Sequence, residues 1–540
     1  MAKKISFLAC MAIAISGSLV PALGLEDSVG EAGIEALRLQ TFPYNLTGRK
    51  ISIGQVEIGR PSKFGLDKAA SEQTVFELKG AFYRNKSALS NRFVDDHAAQ
   101  VATVMISKDK KLTGVAPQAR LYASAIGPLD RAGQPEQCLA TQHVAEQNGK
   151  DVRAINFSFG ESLKRDPRPN PQLDGLALLT LCIDWSARVH DVLYVVAGNQ
   201  GKGGIAIPTD HFNGIITASS AKRQGKFTKI DFSNLSSEPK GIGRRLIKRE
   251  INTNNRRGIN LVAPGNNIEI YDLKGKSISA SGTSFAAPHV TGSVALLQEF
   301  GDAILAGDRR TKLGLNWSMD SRRHEVMKAV LLNSADKIKD RGRGLQLGMT
   351  RTLLTKKNRN WLQSNAYWND RIPVDLEMGA GHLNTYRAYQ QFSGGRWSHK
   401  NLIPSRGWDY AGINLYSYRD YQIESPLQKD SYVAITLVWD RLVELEDRNQ
   451  NQRYDVGENF RDRGLNDLNI YLMSADKTHT IESVCASRSK VDSIEHIFCA
   501  IPKTGRYKIR VDYPHNVNDP TQFYGLAWWT FTSEGLSSQN

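Results

Sequence analysis

Short apolar runs alternate with helical stretches through residues 48–395. Examples are the runs at 154–158 and 192–196. Continuous apolar runs of this length indicate strands buried on both faces, as in a parallel sheet covered by helices. The pattern predicts a three-layer α/β domain with a mostly parallel sheet, and functional side chains are expected at the carboxyl ends of its strands.

The pattern changes after residue 395. Residues 396–408 are enriched in Gly, Ser, Arg and Lys, which is typical of a linker. Further on, Tyr507, Ile509, Val511 and Tyr513 alternate with polar residues in strand periodicity. Several such runs predict a C-terminal β-sandwich over residues 409–535. The segment 336–378 shows weak periodicity and is interpreted as an insertion in the first domain.

The first 24 residues have the character of a signal peptide. Lys3 and Lys4 precede an apolar stretch that is short and interrupted by Gly17 and Pro21, which favours cleavage over retention as a membrane span. We therefore expect a secreted or periplasmic protein with a short N-terminal segment, 25–47, before the first domain. No other stretch is long and apolar enough to cross a bilayer.

The most informative stretch is 281–292, Ser-Gly-Thr-Ser-Phe-Ala-Ala-Pro-His-Val-Thr-Gly. It places Ser284 at the start of a helix of small residues, whose N–H groups can stabilise negative charge on a carbonyl oxygen. The stretch resembles the serine motif of the subtilisin-like (subtilase) serine peptidases. It lacks the second glycine of the α/β-hydrolase elbow, which argues against a lipase or esterase of that type.

The resemblance implies an acid and a histidine upstream of the serine, in that order. Residues 95–102 resemble the histidine motif with His97 at the catalytic position, although Ala98 and Gln100 replace the usual glycine and second histidine. Residues 51–59 match the first strand of the family, but Glu57 stands where its members usually carry aspartate. Glu57 is interpreted as the acid, while a non-functional Glu57 or its replacement by Asp67 or Asp96 stays open.

Two further segments complete the site that the resemblance implies. Ser158, Phe159 and Gly160 look like the strand that pairs with an extended peptide substrate. Asn199, after the apolar run 192–196, looks like the asparagine of the oxyanion hole, although Gly-Asn pairs are also common turn signals. The loops 158–165 and 197–207 would then set the width of the substrate pocket.

A second motif lies in the predicted C-terminal domain. Residues 447–458 place oxygen-bearing groups at the spacing of a calcium loop, where Gln452 replaces the usual glycine at the sixth position. An ordinary polar turn is the alternative. The expected ligands are Asp447, Asn449, Asn451, the carbonyl of Arg453, Asp455 and Glu458, around a structural Ca²⁺.

Four cysteines remain outside the signal peptide, an even number that suits disulfides in a secreted protein. Local pairing favours Cys138 with Cys182, on helical segments, and Cys485 with Cys499, across a predicted hairpin, while four buried thiols stay open. The net charge of +15 suggests attraction to anionic surfaces. Because the basic residues are scattered, a solvated face is favoured over a nucleic-acid groove.

Together these observations predict a secreted serine endopeptidase that acts on protein or peptide substrates through Glu57, His97 and Ser284. The chain length of 540 residues and the 40% hydrophobic content suffice for one large enzyme domain and a smaller one. A catalytically impaired protein that only binds peptides is the alternative, and a non-proteolytic hydrolase is a third. The sequence indicates neither the cleavage specificity nor the oligomeric state.

Overall fold

The computed structural model describes residues 25–71, 75–198, 206–231, 251–307 and 317–532. The expected signal peptide, 1–24, lies outside this range. The helices are α1 Leu25–Val29, α2 Ala36–Gln40, α3 Lys68–Ser71, α4 Asp96–Ile106, α5 Gln134–Ala145, α6 Gln147–Lys150, α7 Leu178–His190, α8 Thr283–Leu305, α9 His324–Asn333, α10 Asn365–Trp368 and α11 Thr385–Ser393. No helix in these ranges is both long and apolar enough to span a membrane.

The strands fall into two groups along the chain. The first group is β1 Ser52–Glu57, β2 Leu78–Tyr83, β3 Lys86–Ser87, β4 Arg120–Ala125, β5 Val152–Phe157, β6 Leu193–Ala197, β7 Ile215–Arg223, β8 Lys226–Ile230, β9 Leu261–Pro264, β10 Ile268–Tyr271, β11 Ser277–Ala280 and β12 Leu353–Leu354. The second group is β13 Arg406–Asn414, β14 Tyr418–Gln422, β15 Tyr432–Trp439, β16 Leu442–Glu446, β17 Asn459–Gly464, β18 Asp467–Ser474, β19 Cys485–Ser487, β20 Ile494–Ala500, β21 Tyr507–His515 and β22 Thr521–Trp529.

Within the described residues, ten strands form one central sheet in the order β12–β8–β7–β6–β5–β1–β4–β2–β3, with β9 also paired to β7. The run from β7 to β2 is parallel, and β8 and β3 pair antiparallel to β7 and β2. Helices α4 and α8 pack together on one face, and α5 and α7 pack together on the other. The predicted three-layer α/β fold is confirmed.

Alternation along β1 determines which of its side chains face α4 and which face α5. Ile53 belongs to the hydrophobic core shared with α4 and α8, whereas Val56 belongs to the core shared with α5 and α7. A Cβ on Gly54 would lie 2.4 Å from Val144 of α5, so this position faces α5 at close range. Because side chains alternate along a strand, Gln55 and Glu57 face α4 on the opposite side.

The C-terminal part forms two four-stranded antiparallel sheets within the described range, β13–β22–β15–β20 and β14–β21–β18–β19. Their facing side chains form a separate hydrophobic core, which confirms the predicted β-sandwich. In β21 the predicted alternating residues Tyr507, Ile509, Val511 and Tyr513 are buried. Lys508 and Arg510 on the other face are also largely covered, because both pair with Asp420 of β14.

The connection between the domains is shorter than the predicted linker 396–408. β13 begins at Arg406, and Trp408 is fully buried. Trp397 donates its backbone N–H to the Trp408 carbonyl at 2.9 Å. The Gly- and Ser-rich composition suggested a solvated connector, but two tryptophans give this segment enough apolar area to pack.

The segment 336–378, interpreted as an insertion, is ordered against both domains. β12 adds to the edge of the central sheet beside β8. Toward the C-terminal domain, the carbonyl of Leu345 accepts the backbone N–H of Tyr432 at 2.7 Å, and Asp370 pairs with Arg488. The segment therefore bridges the two domains.

Two disulfides join the cysteines in the predicted pairs, Cys138–Cys182 and Cys485–Cys499. The first ties α5 to α7, as their helical positions suggested. The second differs from the hairpin expected for it, because β19 pairs with β18 and β20 pairs with β15. It therefore links the edge strands of the two sheets and closes one side of the sandwich.

Candidate active site

Ser284 lies in the first turn of α8, which begins at Thr283. Its Oγ donates a hydrogen bond to the carbonyl oxygen of Ser158 at 3.1 Å. In return, the Ser158 hydroxyl donates to the carbonyl of Ser284 at 2.9 Å. That carbonyl is available because Pro288, four residues on, has no N–H to donate. Because of this proline, Ser284 and Ser158 of the predicted pairing segment can form two reciprocal hydrogen bonds.

The turn before Ser284 is fixed by a close approach of two loops. Gly282 donates its N–H to the carbonyl of Gly265 at 2.8 Å. A Cβ on Gly265 would lie 2.5 Å from Ser219 Oγ and 2.6 Å from the Gly282 carbonyl. Both distances are too short for a side chain, so glycine at 265 is required for the turn to enter α8 at this angle.

His97 lies in the first turn of α4, and its position follows from the cap before it. Asp95 is the N-cap residue, and its carboxylate accepts the N–H of Ala98 at 2.9 Å. His97 Nδ1 lies 3.5 Å from Glu57 Oε2. The side chain of Glu57 is 2% exposed, and that of His97 is 41% exposed. The histidine therefore faces the carboxylate with one nitrogen and leaves the rest of its ring accessible.

The Nδ1–Oε2 distance is longer than the 2.7–3.2 Å range usual for such a hydrogen bond. Catalytic hydrogen bonds are often long in ligand-free structures and tighten when the substrate binds. The other carboxylate oxygen, Glu57 Oε1, is buried and has no hydrogen-bond partner among the described residues. The extra methylene of glutamate is thus accommodated without an obvious compensating contact.

The two other candidate acids are engaged elsewhere. Asp67 forms a bidentate pair with Arg60, at 2.6 and 2.8 Å. Asp96 accepts the backbone N–H of Leu273 at 2.7 Å and the side-chain amide of Gln100 at 2.8 Å. Of these carboxylates, Glu57 is the one whose oxygen faces His97 Nδ1.

Glu57 and His97 shift each other's pKa values in the direction that favours the charged form of each. Burial raises the pKa of Glu57, and the neighbouring His97 opposes this rise. Burial alone would lower the pKa of His97, but Glu57, Asp95 and Asp96 outweigh it, so the pKa of His97 is raised above its usual 6.5. An imidazolium formed at His97 is therefore stabilised.

The pairing segment 158–160 continues directly from the carboxyl end of β5. Asn156 donates its side-chain amide to Ser158 Oγ at 2.9 Å, which orients the hydroxyl that reaches Ser284. Asn199 lies outside the described residues, and β6 ends two residues before it, at Ala197. The structure thus brings the predicted Glu57, His97, Ser158 and Ser284 to one edge of the sheet.

Sequence reasoning did not single out three neighbours of the site. Gln55 donates its amide to the Ala98 carbonyl at 2.9 Å and so ties β1 to the first turn of α4. Asp95 caps that turn, and the ring of Phe285 lies 5.8 Å from the His97 ring. The signals were present in the sequence, as a polar residue two positions before Glu57 and an N-cap before His97.

The predicted calcium loop connects β16 to β17. Asn449 and Asn451 both donate their side-chain amides to Asp455 Oδ2, at 2.9 and 2.7 Å. Glu458 accepts the backbone N–H groups of Arg448 and Asp455. Gln452 has a φ of 61°, the left-handed conformation for which calcium loops use glycine.

The remaining predicted ligands lie in the same turn. Asp447 accepts the backbone N–H groups of Asn451 and Gln452 at 3.2 and 2.7 Å. Arg453, whose carbonyl is an expected ligand, pairs through its side chain with Glu146 beyond α5. The oxygen-rich donor set is of the kind that hard cations prefer.

The chain is similar to a known protein family and to several known proteases. The profile described as the Subtilase family matches residues 61–360, a span that begins just after Glu57. The chain is 26% identical over 204 residues to the thermostable alkaline protease of Halalkalibacterium halodurans, covering 37% of this chain and 46% of that protein. It is 25% identical over 237 residues to subtilisin Savinase of Lederbergia lenta, covering 43% of this chain and 74% of that protein.

Among solved structures, the chain aligns with the prenylagaramide maturation protease PagA at 20% identity. The alignment covers 63% of this chain and 93% of that one, with a TM-score of 0.39, too low to carry an argument. The family profile, by contrast, spans more than half of the 540 residues and contains His97 and Ser284. The chain therefore belongs to the subtilase family.

Proposed function

We propose that this protein is a secreted serine endopeptidase that hydrolyses peptide bonds through an acyl-enzyme. The observation that carries the proposal is the arrangement of Glu57, His97 and Ser284 at one sheet edge, with Ser158 bonded to the serine. Membership of the subtilase family and the protease names of its relatives support it. The signal-like sequence at residues 1–24 supports secretion.

In the proposed mechanism, Ser284 Oγ attacks the carbonyl carbon of the scissile bond. His97 takes the serine proton at Nε2, because Nδ1 faces Glu57, and then gives that proton to the leaving amine as the C–N bond breaks. Water then attacks the ester carbonyl carbon and loses a proton to His97, and His97 returns that proton to Ser284 Oγ as the ester bond breaks. Glu57 holds the ring orientation and stabilises the imidazolium.

The oxyanion of each tetrahedral intermediate would be held by the backbone N–H of Ser284 and the side-chain amide of Asn199. The first donor lies at the N-terminus of α8, where the helix dipole also favours negative charge. The assignment of Asn199 rests on its place after the run 192–196. An extended substrate would add as a strand beside Ser158, Phe159 and Gly160.

Casein cleavage by the purified chain tests the proposal, with Ser284→Ala as the matched variant. The variant is expected to lose activity by on the order of 10⁶-fold, because the nucleophile is absent. Equal cleavage by both proteins would contradict the proposal. If the wild type does not cleave but Glu57→Asp does, the chain is a disabled peptidase that binds peptides.

We also propose that the loop 447–458 holds a structural Ca²⁺. The ligands would be the side chains of Asp447, Asn449, Asn451, Asp455 and Glu458 and the Arg453 carbonyl. The loop is anchored on α5, because Gln142 accepts the Tyr454 N–H at 2.7 Å and donates to the Tyr454 carbonyl at 3.2 Å.

Thermal unfolding in EGTA and in excess Ca²⁺ tests this assignment. Bound Ca²⁺ should raise the melting temperature, because a ligand of the native state stabilises it. The matched variant Asp447→Asn should reduce the rise. An identical melting temperature with and without Ca²⁺ would contradict the site.

A further inference from the structure

A buried carboxylate lies directly beyond the pairing segment and takes no part in the proposed mechanism. Glu161 follows Ser158, Phe159 and Gly160 in the chain and is 1% exposed. Its Oε1 accepts the side-chain amide of Gln137 at 2.6 Å. Its Oε2 is buried and has no hydrogen-bond partner in the part of the chain that the structure describes. Buried polar atoms without partners are rare in folded proteins and call for an explanation.

Strand alternation fixes the face on which this carboxylate lies. Phe157 and Phe159 point to the same side, and their rings stack at 5.2 Å in the core formed with α5 and α7. Glu161 is the next residue on that side and meets Gln137 of α5. Ser158 points the other way, toward Ser284. A peptide paired with this segment presents alternate side chains to the face of Glu161.

The backbone of Glu161 pairs with that of Ile207, a residue far from it in the chain. Its N–H donates to the Ile207 carbonyl at 2.8 Å, and the Ile207 N–H donates to the Glu161 carbonyl at 2.9 Å. These two bonds join Glu161, within the loop 158–165, to Ile207, the last residue of the loop 197–207. Both loops were expected to set the width of the substrate pocket, so Glu161 belongs to a segment expected to line it.

The positive charge of Arg165 acts on this carboxyl group and opposes the rise of its pKa, but the two groups form no ion pair. No basic side chain in the described ranges forms an ion pair with Glu161, and the nearby Arg165 donates instead to the Leu129 carbonyl. The neighbouring acids are already engaged, since Asp166 pairs with Arg168 and Glu136 with Arg84. Burial raises the pKa of Glu161 to about 7 against the opposing effects of Gln137 and Arg165, as expected for a buried carboxyl group without an ion pair.

A second acceptor without a partner adjoins the first. Gln137 is fully buried, and its side-chain Oε1 has no partner among the described residues. Each of the two side chains thus keeps one oxygen without a partner, while the Gln137 amide N–H joins them through Glu161 Oε1. A guanidinium or ammonium group offers several N–H donors and a positive charge, and it would satisfy the free oxygen of Glu161.

We propose that Glu161, together with Gln137, recognises a lysine or arginine side chain of the peptide substrate and so determines specificity. The inference rests on the proposed peptidase function and names the substrate class of that same site. A cation binds the ionised carboxylate, so any proton on Glu161 is released to water on binding. Preference for the cationic substrate therefore increases as the pH rises through about 7.

The test uses pairs of quenched fluorescent peptides built on casein sequences. Each pair differs at one position, with lysine in one member and norleucine in the other. The ratio of kcat/KM for the two peptides of a pair is measured from pH 6 to 9. Titration of His97 affects the cleavage of both peptides equally and therefore does not change this ratio. At one position the wild type should favour lysine by about 30-fold at alkaline pH, the effect expected of a charged hydrogen bond.

The variant Glu161→Gln keeps the size of the side chain and removes the charge. It should bring the lysine-to-norleucine ratio to within about 3-fold and abolish its pH dependence, mainly through KM. Glu136→Gln, which removes a nearby acid on α5, is the matched control and should leave the ratio as in the wild type. A ratio that is the same in wild type and Glu161→Gln, or no preference for lysine at any position, would overturn the proposal.

Binding to the Ser284→Ala chain separates this inference from the proposed function. Its Kd for the same peptide pairs, with and without Glu161→Gln, reports the preference without any cleavage. If the wild type cleaves nothing, the peptidase proposal fails, and the Kd ratio still decides the role of Glu161. If Glu161→Gln does not fold, the pH dependence of the lysine-to-norleucine ratio in the wild type still tests the role of Glu161.

Discussion

The active site and the interface between the two domains differ in how completely their buried charged groups are hydrogen-bonded. At the active site, the Glu57–His97 distance is 3.5 Å, and one oxygen of Glu57 has no partner among the described residues. At the interface, Arg441 is 2% exposed and contacts the Gly175 carbonyl at 2.8 Å and Asp462 at 2.7 Å. The active-site carboxylate is thus incompletely hydrogen-bonded, whereas the interface arginine is bonded within the protein to groups of both domains.

The interface also holds charged groups that the sequence did not point to. The ring of Phe212 lies between the guanidinium groups of Arg256 and Arg441, at 3.9 and 4.7 Å. His324 meets Asp191 with one nitrogen at 2.9 Å and Asp440 with the other at 3.0 Å. Because Arg441 and Asp440 belong to the C-terminal domain, we expect the two domains to unfold as one unit.

The largest expected effect is a loss of activity without a loss of stability, caused by a change at Glu57. Glu57→Gln should lower kcat by on the order of 10⁴-fold, because the carboxylate that holds the histidine tautomer is lost. The free energy of unfolding should change little, since an amide of the same size replaces a buried carboxylate. Asp96→Asn, beside His97 but bonded to Leu273 and Gln100, is the control and should retain activity. Steady-state kinetics and thermal melts check both.

The second effect is the reverse, a loss of stability without a change in the catalytic groups. Arg441→Ala should cost about 3–5 kcal/mol in the free energy of unfolding, because it leaves Asp184 and Asp462 without their cation. Arg463→Ala removes a half-exposed arginine paired with Glu444 and should cost less than about 1 kcal/mol. Urea unfolding measures the difference. Two separate transitions in the wild type would contradict a single folding unit.

Each domain contains one disulfide, so removing each in turn compares the contributions of the two bonds to stability. Replacing both Cys138 and Cys182 by alanine opens a 44-residue loop and should cost about 4 kcal/mol of stability. Replacing Cys485 and Cys499 opens a 14-residue loop and should cost about 3 kcal/mol. Urea unfolding of the two double variants gives the order, and a larger loss from the second pair would argue against chain entropy as the cause.

The smallest effect concerns pH at the interface. Burial alone would lower the pKa of His324, but Asp440, Glu325 and Asp191 raise it well above 6.5. A raised pKa gives stability that is complete below pH 6.5 and is lost as the pH rises through the folded-state value. Burial also raises the pKa of Glu325 to about 7, which acts in the same direction.

Other charged groups at this cluster modify the profile. Burial lowers the pKa of Lys328 to about 8, which opposes the loss above that pH, and Arg323 lies 3.3 Å from Asp191. His324→Gln should destabilise the protein by about 2 kcal/mol at pH 6, and by less at alkaline pH. Melting temperatures from pH 5 to 9 test this, and a difference that does not shrink with pH would contradict the role of the charged ring.

Local sequence determined the parts of this protein that depend on short-range chemistry. The small-residue helix after Ser284, the missing N–H of Pro288 and the alternation in β1 each follow from adjacent residues. The order of acid, histidine and serine was likewise legible along the chain. Of these features, the small-residue helix and the motif order were the ones that predicted the fold class and named the candidate site residues.

Tertiary structure alone decided the features that depend on partners far apart in the chain. The 3.5 Å spacing of Glu57 and His97, the disulfide between the sheets and the contact of Gln142 with Tyr454 join residues 14 to 312 positions apart in the chain. The burial of Glu161 is set by α5 and Ile207, neither adjacent to it in sequence. Periodicity reports which face a side chain takes, but only packing determines what it meets there.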